Sequence, residues 1–322
     1  MKILLTGAGG AAAISVWKSL GQEHEIYMAD IDPCAAGLYL VPPAQRLIIP
    51  RGDAAEFTSI MRQECQKRQI ELLIPTVDAE LAPLAQHAEQ FKELGIKLPL
   101  SSAESLQRCA DKYALLTYCQ ESGLTPQFAL LTTQTDLTKW QFPCFVKPRR
   151  GSGSTGAMTI NHPRELAQIP QDSSYLIQEI LPGAEYSVDV YIHSTGSPIA
   201  AVPRLRMKID SGIAVAAQTC INPQLSQMAV AIAQQAGITY VANVQFKADR
   251  NGQFKLLEIN PRFPGTLPLT AAAGIDIPRL LIDDLLGKPF ATQLLPFKEL
   301  MVVRYWTEQF FAVEEWSSLC PR

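Results

Sequence analysis

The chain has 322 residues, 47% of them hydrophobic and 18% charged, a composition typical of a globular protein with room for two or three lobes. Its net charge of -3 at pH 7 provides no basic surface for a polyanion, which argues against a nucleic-acid partner. The seven cysteines include no CxxC pair and no apolar run reaches about 18 residues, so we expect reduced thiols, a cytoplasmic location and no membrane span.

The first hundred residues predict a parallel α/β lobe. A β-α-β opening is indicated by a strand over 2–5, a helix over 12–20 and a strand over 25–29. Helix and strand patterns then alternate, with a helix over 54–69, a strand over 71–75, a helix over 79–94 and a short strand over 97–98. Since such alternation produces parallel sheets, the fold class expected for residues 1–100 is a Rossmann-like α/β lobe.

The turn after the first strand is a candidate dinucleotide-binding site. The segment from Gly7 to Ala12 reads GAGGAA and fits G-x-G-x-x-A between a strand and a helix, and Asp30 follows about 20 residues later. Small residues are also usual in any tight β-α turn, and no Tyr-x-x-x-Lys pair for hydride transfer follows. An NAD(P)-dependent oxidoreductase is therefore an open alternative at this point.

From residue 101 onward the pattern changes to α+β. Ser101 to Glu104 reads as a helix cap, and helical segments follow as far as Gly123, which predicts a stop. From Phe128 the strand signals are short, closely spaced and interrupted by prolines, and a helix is predicted over 225–236. We therefore expect a second domain, over residues 101–322, that is built mainly on antiparallel strands.

A glycine-rich loop lies in the middle of the chain. The segment from Phe145 to Ile160 reads FVKPRRGSGSTGAMTI and contains the spacing G-x-G-x-x-G between two strand-like runs, whereas a Rossmann loop runs into a helix. A lysine stands before the glycines, and glycine N–H groups can approach phosphate oxygens because no Cβ intervenes. The predicted phosphate-binding residues are Lys147, Gly151, Ser152, Gly153, Ser154 and Gly156.

A hairpin near residue 250 gives the strongest indication of a functional site. The turn DRNG at 249–252 separates the strand-like runs 243–246 and 256–262. Because side chains alternate along a strand, Glu258, Asn260 and Arg262 should share one face, while Leu257 and Ile259 should point into the core.

Counting back through the turn places Gln245 within a residue or two of Glu258, on the facing strand. Carboxylate and amide oxygens are ligands that Mg²⁺ prefers, with nucleotide phosphates and water completing its shell. We therefore predict that Gln245, Glu258 and Asn260 bind Mg²⁺ or Mn²⁺.

Together these motifs resemble the ATP-grasp superfamily over residues 1 to about 290. The sequences NVQF and EINPRF are closest to the branch that contains one synthetase half of the carbamoyl phosphate synthase large subunit and the ligase of pyrrolysine biosynthesis. The resemblance implies a pre-ATP-grasp lobe at 1–100 and a two-subdomain ATP-grasp fold at 101–322. The small ATP-binding subdomain would span about 112–180, and the subdomain with the metal site about 181–322.

The resemblance also implies roles for residues outside the glycine loop. The segment LIQEILPGAEYSVDV at 176–190 is similar to the hinge strand of the family, where Glu179 and the amide of Ile180 would receive adenine and Glu185 the ribose. Lys112, in the sequence ADKY, resembles the second phosphate-binding lysine of the family.

The implied activity is ATP-dependent ligation of a small carboxylate or amino acid to an amine through an acyl phosphate, with release of ADP and phosphate. Lys147 and Arg262 would be catalytic, with Arg262 holding the carboxylate, and the substrates would bind between 76–80 and 263–274. The chain has one synthetase half, which argues against carbamoyl phosphate synthesis. A non-catalytic nucleotide-binding protein is the other alternative, a homodimer is compatible with the sequence, and the tail 301–322 indicates only packing or self-association.

Overall fold

A computed structural model of the protein describes residues 1–151, 153 and 155–313. These residues form one parallel and two antiparallel sheets, which confirms the predicted combination of an α/β lobe with an α+β region. Within the described part of the chain, no helix is both long and apolar enough to cross a membrane. The predicted loop residues Ser152 and Ser154, and positions 314–322 of the tail, lie outside the described residues.

A four-stranded parallel sheet forms the N-terminal lobe. Its elements are β1 (Lys2–Thr6), α1 (Ala11–Leu20), β2 (Glu25–Asp30), β3 (Arg46–Ile48), α2 (Phe57–Arg68) and β4 (Leu72–Ile74). The sheet order is β3-β2-β1-β4. Since the chain leaves β1 for neighbours on both sides, the turns after β1 and β4 meet at the carboxyl edge of the sheet, where α/β folds bind ligands.

The helix predicted over 79–94 is two helices, α3 (Asp78–Gln86) and α4 (Ala88–Glu93). His87 causes the break, because its Nδ1 lies 2.9 Å from the Pro83 carbonyl oxygen while its backbone N–H donates to Leu84. The short strand predicted at 97–98 is a single parallel bridge between Lys97 and Leu72.

Two short helices connect the lobe to the rest of the protein. They are α5 (Ala103–Ala110) and α6 (Lys112–Tyr118). The Ser102 hydroxyl accepts the N–H of Ser105 at 3.2 Å, so the predicted cap is present. A 3₁₀ turn over Gln120–Ser122 then ends at Gly123, as the sequence predicts.

The smaller antiparallel sheet contains the strands on either side of the glycine loop. It is built from β5 (Phe128–Thr132), β6 (Cys144–Pro148), β7 (Met158–Ile160) and β8 (Asp172–Glu179), in the order β5-β8-β6-β7. Since β6 and β7 are paired antiparallel neighbours, the predicted strand, glycine loop and strand are confirmed.

The larger antiparallel sheet has six strands, in the order β13-β12-β9-β10-β11-β14. Its elements are β9 (Glu185–Ile192), β10 (Pro198–Asp210), β11 (Ile213–Thr219), α7 (Pro223–Gln235), β12 (Tyr240–Ala248), β13 (Phe254–Asn260), α8 (Leu267–Ala272), α9 (Ile277–Leu285) and β14 (Met301–Val303). Helix α7 packs on one face through an apolar core that includes Val188, Val190 and Val244. The alternate residues of the same strands therefore face the other side, which we call the site face.

A buried ion pair lies on the site face. Arg204 donates to Asp189 through Nε at 2.9 Å and Nη2 at 2.6 Å, and both side chains are almost completely buried. The same carboxylate accepts the Asn243 amide at 2.8 Å and the Thr270 hydroxyl. Four donors from β10, β12 and α8 thus compensate the buried charge of Asp189.

Candidate functional site

A cavity of about 300 Å³ lies between the two antiparallel sheets. Most of the predicted site residues line it, namely Lys112, Lys147, Gly151, Gly153, Glu179, Ile180, Glu185, Gln245 and Glu258. Asn260 lies next to Glu258, whereas Arg262 and Gly156 are not among the lining residues. The structure thus brings residues from six separate segments of the chain to one cavity.

The cationic end of the cavity is formed by two lysines. Strand β6 fixes Lys147, whose side chain is buried and whose Nζ donates to the Leu257 carbonyl at 3.4 Å. Burial lowers the pKa of Lys147 to about 8, although the Glu258 carboxylate opposes this shift. The Nζ of Lys112 lies 3.8 Å from the Glu258 carboxylate. Two cations and a carboxylate from three elements therefore meet at this end.

Asp111 holds the cationic end together, and sequence analysis gave it no role. Its carboxylate accepts the first N–H groups of α6 and also receives Arg149 Nε at 2.9 Å and Arg150 Nη2 at 3.0 Å. The neighbouring Lys112 donates through Nζ to the Gly151 carbonyl at 2.6 Å. The charged run KPRR is thus anchored at the start of the glycine loop and is not simply a solvated cluster.

The glycine loop lies against the turn between β10 and β11. A Cβ on Gly212 would be 2.9 Å from the Cα of Gly153, so only glycine permits this approach. At the end of the loop, Gly156 has a φ of 75°. A Cβ added at this position would lie 3.1 Å from the Pro148 side chain. The described loop residues Gly151, Gly153 and Thr155 line the cavity.

The hairpin of β12 and β13 has the register that the sequence predicts. Gln245 is opposite Glu258, and Asn243 is opposite Asn260. A β-bulge interrupts the alternation after this pair, so Leu257 faces the cavity while Leu256 is buried in the core. The prediction that Leu257 points into the core is wrong, because the extra residue reverses the direction of the side chains beyond it.

The hairpin fits Mg²⁺ bound together with a nucleotide. Glu258 provides a carboxylate, which accepts a hydrogen bond from Asn260 Nδ2 at 3.1 Å. The amide oxygen of Asn260 can then accept a hydrogen bond or coordinate a metal ion. Gln245 Oε1 accepts Arg206 Nη1 at 3.0 Å and retains a second lone pair. The described residues contain no cluster of three or more His, Cys, Asp and Glu side chains that could hold a metal. One carboxylate with amide oxygens suits Mg²⁺, which commonly takes its remaining ligands from phosphates and water.

The opposite end of the cavity is lined by the hinge strand. The Glu179 carboxylate accepts the backbone N–H of Gln127 at 2.8 Å, and Glu185 accepts Arg206 Nη1 at 2.6 Å, so both glutamates have protein partners. The sequence did not point to Gln178, which lines the cavity and whose buried Oε1 has no hydrogen-bond partner among the described residues. An acceptor of this kind is suited to an amino group of a bound base.

Arg262 connects the hairpin to the N-terminal lobe. Its Nε and Nη2 donate to the two oxygens of Asp78, at 2.7 and 2.9 Å, and Nη1 donates to the Phe263 carbonyl at 3.3 Å. Because a guanidinium has five N–H donors, two remain for an oxyanion. Sequence analysis assigned Arg262 to a substrate carboxylate and did not predict the contact with Asp78.

A second cavity, of about 180 Å³, lies at the carboxyl edge of the parallel sheet. It is lined by Gly7, Asp30, Val77 and Glu80 among others. Glu80 is buried and accepts the Thr6 hydroxyl, and burial raises the pKa of its carboxyl to about 7. Asp30 accepts the N–H of Gly9 at 2.8 Å, so the acidic residue of the candidate dinucleotide motif is bonded to its own turn.

Two family models match the chain. Residues 3–99 match the PylC-like N-terminal domain, and residues 171–309 match a model described as ATP-grasp in the biosynthetic pathway with Ter operon. The first match relates the N-terminal lobe to PylC-like proteins, as the sequence resemblance implies.

Similar proteins include a D-alanine–D-alanine ligase of Thermotoga petrophila, 27% identical over 204 residues, which are 56% of this chain and 67% of the relative. The carbamoyl phosphate synthase large chain of Gemmatimonas aurantiaca is 24% identical over 221 residues, which are 61% of this chain and 20% of that protein. The solved N5-carboxyaminoimidazole synthetase of Staphylococcus aureus superposes with a TM-score of 0.73 at 16% identity, covering 93% of this chain and 81% of that one.

The predicted family resemblance is confirmed by these similarities. Residues 171–309 match an ATP-grasp family, residues 3–99 match a PylC-like N-terminal domain, and the fold is that of solved ATP-grasp enzymes. The chain is similar in sequence to ligases that include a D-alanine–D-alanine ligase.

Proposed function

We propose that this protein activates a small carboxylic acid or amino acid as an acyl phosphate and joins it to an amine, releasing ADP and phosphate. The observation that carries the proposal is the meeting of Lys112, Lys147 and Glu258 at one end of the larger cavity. Cations and a metal-binding carboxylate stabilise charge on a phosphoryl group during transfer. The similarity to a D-alanine–D-alanine ligase supports an amino acid as one substrate.

In the first step, a carboxylate oxygen of the acid attacks the γ-phosphorus of ATP, and the bond from that phosphorus to the β–γ bridging oxygen breaks. Lys112 and Lys147 hold the phosphate oxygens in place for the attack. In the second step, the amine attacks the acyl carbon, loses a proton and expels inorganic phosphate. The phosphate leaves with the oxygen that came from the acid.

Glu258 and Asn260, with Gln245, would hold Mg²⁺, which would neutralise negative charge on the transferring phosphoryl oxygens. The free N–H donors of Arg262 would contact the carboxylate and then the acyl phosphate. Because Asp78 fixes the guanidinium, it would be oriented before the substrate arrives. The glycine loop would exclude water, which hydrolyses acyl phosphates.

The second cavity is the proposed entry for a substrate, since Glu80 and Asp78 lie within one turn of α3 and Asp78 contacts Arg262. The same proposal includes the domain limits 1–100 and 101–322 and a subdomain limit near 180. It also includes a cytoplasmic location and a homodimer. The buried thiols of Cys65, Cys109, Cys119 and Cys144 are consistent with a reducing compartment.

An isotope experiment tests the acyl phosphate. Small acids and amines would be screened in pairs for ADP release, and the carboxylate of the active acid would then be labelled with ¹⁸O. We expect one labelled oxygen in the released inorganic phosphate, measured by mass spectrometry or by the ³¹P isotope shift.

Unlabelled acid with ¹⁸O-water is the control for hydrolysis by solvent. Label in AMP would instead indicate adenylation, and phosphate without label would contradict a γ-phosphoryl intermediate.

The lowered pKa of Lys147 predicts that nucleotide binding depends on pH. Near pH 7 the lysine is charged, but above about pH 8 the free protein loses that proton, so Mg-ADP affinity should fall toward tenfold per pH unit. Mg-ADP should then bind with uptake of a proton, approaching one per site. Calorimetry at about pH 7 and about pH 9 in buffers of different ionisation enthalpy measures this uptake.

Lys147→Arg provides the control, because an arginine remains charged throughout this range and should abolish the proton uptake. Since the folded pKa lies below that of an unfolded lysine, Lys147 itself should make the free protein more stable as pH rises from about 8 to about 10.5. Equal proton uptake by the wild type and the variant would show that another group titrates.

A further inference from the structure

Arg304, just beyond the last strand, is directed onto the site face of the large sheet. Val302 of β14 is opposite Ala217 of β11, and Ala217 is opposite Arg206 of β10. Opposite residues of antiparallel strands share a face, and so do alternate residues of one strand. The backbone N–H of Arg304 donates to Val215 at 2.9 Å and continues this pairing, so Arg304 lies on the same face as Arg206.

The guanidinium of Arg304 is partly buried and lacks a compensating charge. Within the described residues it makes no ion pair and no hydrogen bond, whereas Arg204 and Arg206 on β10, which β11 separates from β14, pair with Asp189 and Glu185. Burial, and then the positive charge of Arg204, lower the pKa of Arg304. A partly buried cation is stabilised when an anion binds to it.

The buried carboxylate of Asp189, on the same sheet, is not available as that anion. Asp189 already accepts two hydrogen bonds from Arg204 and one each from Asn243 and Thr270. The phosphates of the nucleotide are not suited to the role either, because the larger cavity is lined by Arg206 but by neither Arg204 nor Arg304. The anion that completes the environment of Arg304 is therefore expected to come from another ligand.

We propose that Arg304 binds an anionic group, a carboxylate or a phosphate, on a substrate other than the nucleotide, and that this group takes no part in the transfer. The inference rests on the proposed ligase function. It defines the substrate class, since one of the two joined molecules must carry a second anionic group besides the groups that react. Arg304 would then determine specificity through binding and would not touch the reacting atoms.

A substrate-truncation cycle tests the proposal. For the active substrate pair, the acid and the amine would each be compared with an analogue whose non-reacting anionic group is a neutral amide or ester. Arg304→Gln should raise the KM for the charged substrate by about 10- to 100-fold with kcat little changed, the expected loss of a charge-assisted contact. The KM for the neutral analogue should be unaffected, and Arg304→Lys should restore part of the affinity.

Arg279→Gln is the matched control, because Arg279 is exposed and pairs with Glu23 away from both cavities. Equal loss of activity on the charged and neutral substrates would indicate a structural role and overturn the proposal. An unchanged KM would overturn it as well.

Chemical labelling keeps the inference testable even if no substrate pair is found. Phenylglyoxal modification of Arg304 would be quantified by peptide mass spectrometry with Mg-ADP bound, adding acetate or inorganic phosphate at constant ionic strength. Selective protection of Arg304 is expected, and the protecting anion would distinguish a carboxylate from a phosphate. No protection by either anion, or the same protection at Arg279, would contradict the proposal independently of ligase activity.

Discussion

Replacing Glu258 with glutamine is expected to lower kcat by about 100- to 1,000-fold. The carboxylate is the only acidic group of the predicted metal-binding set of Gln245, Glu258 and Asn260, and a metal ion contributes several kcal/mol to stabilising charge in the transition state. Glutamine keeps the size of the side chain but removes its charge. Steady-state ADP release with the active substrate pair measures the effect.

The fold should survive this change, because the Glu258 side chain is 26% exposed and points away from the core. Equal thermal unfolding of the variant and the wild type would establish this. Glu93→Gln at the exposed end of α4 is the matched control and should leave kcat unchanged. If Glu258→Gln retained full turnover, the metal assignment would be wrong. If neither the wild type nor the variant turned over any pair while both bound Mg-ADP, a non-catalytic nucleotide-binding protein would be favoured.

Replacing Arg204 with methionine should destabilise the protein by about 3–5 kcal/mol, the usual cost of leaving a buried charge without its partner. Asp189 would retain only Asn243 and Thr270 as donors. The midpoint of urea unfolding, with its slope, measures the change in the free energy of unfolding.

A double variant separates two contributions to the loss of unfolding free energy, the unpaired buried charge and the lost packing. Arg204→Met combined with Asp189→Leu should be less destabilised than Arg204→Met alone, because no unpaired charge remains. Arg279→Met removes an exposed ion pair and should cost about 1 kcal/mol or less. Similar stability of Arg204→Met and the wild type would contradict the cost assigned to the unpaired Asp189 carboxylate.

Much of the architecture follows from local patterns. Alternating helical and strand periods predicted the parallel lobe, and the DRNG turn predicted the hairpin that places Gln245 opposite Glu258. Lys147 ahead of the glycines, with strands on both sides of the loop, distinguished this glycine loop from the Rossmann type. These features can be predicted from the sequence because neighbouring residues specify turns, and turns specify the register of the strands.

Local patterns failed where one residue altered the geometry. The break at His87 and the bulge at Leu257 each depend on a specific contact or an extra residue, and periodicity alone does not reveal either. Gln178, next to Glu179 on β8, was not predicted, because only the packed structure shows that its side chain is buried at the cavity.

The sequence by itself determined the ATP-grasp character of the protein, the glycine loop and the hairpin oxygens. Only the tertiary structure decided that Arg262 contacts Asp78, 184 residues away, and that Arg204 pairs with Asp189. It also placed Arg304 on the same sheet face as Arg206, with no ion pair to any described residue. The physical reason is that periodicity and turn residues act over a few positions, whereas charge pairing depends on the order in which distant strands join a sheet.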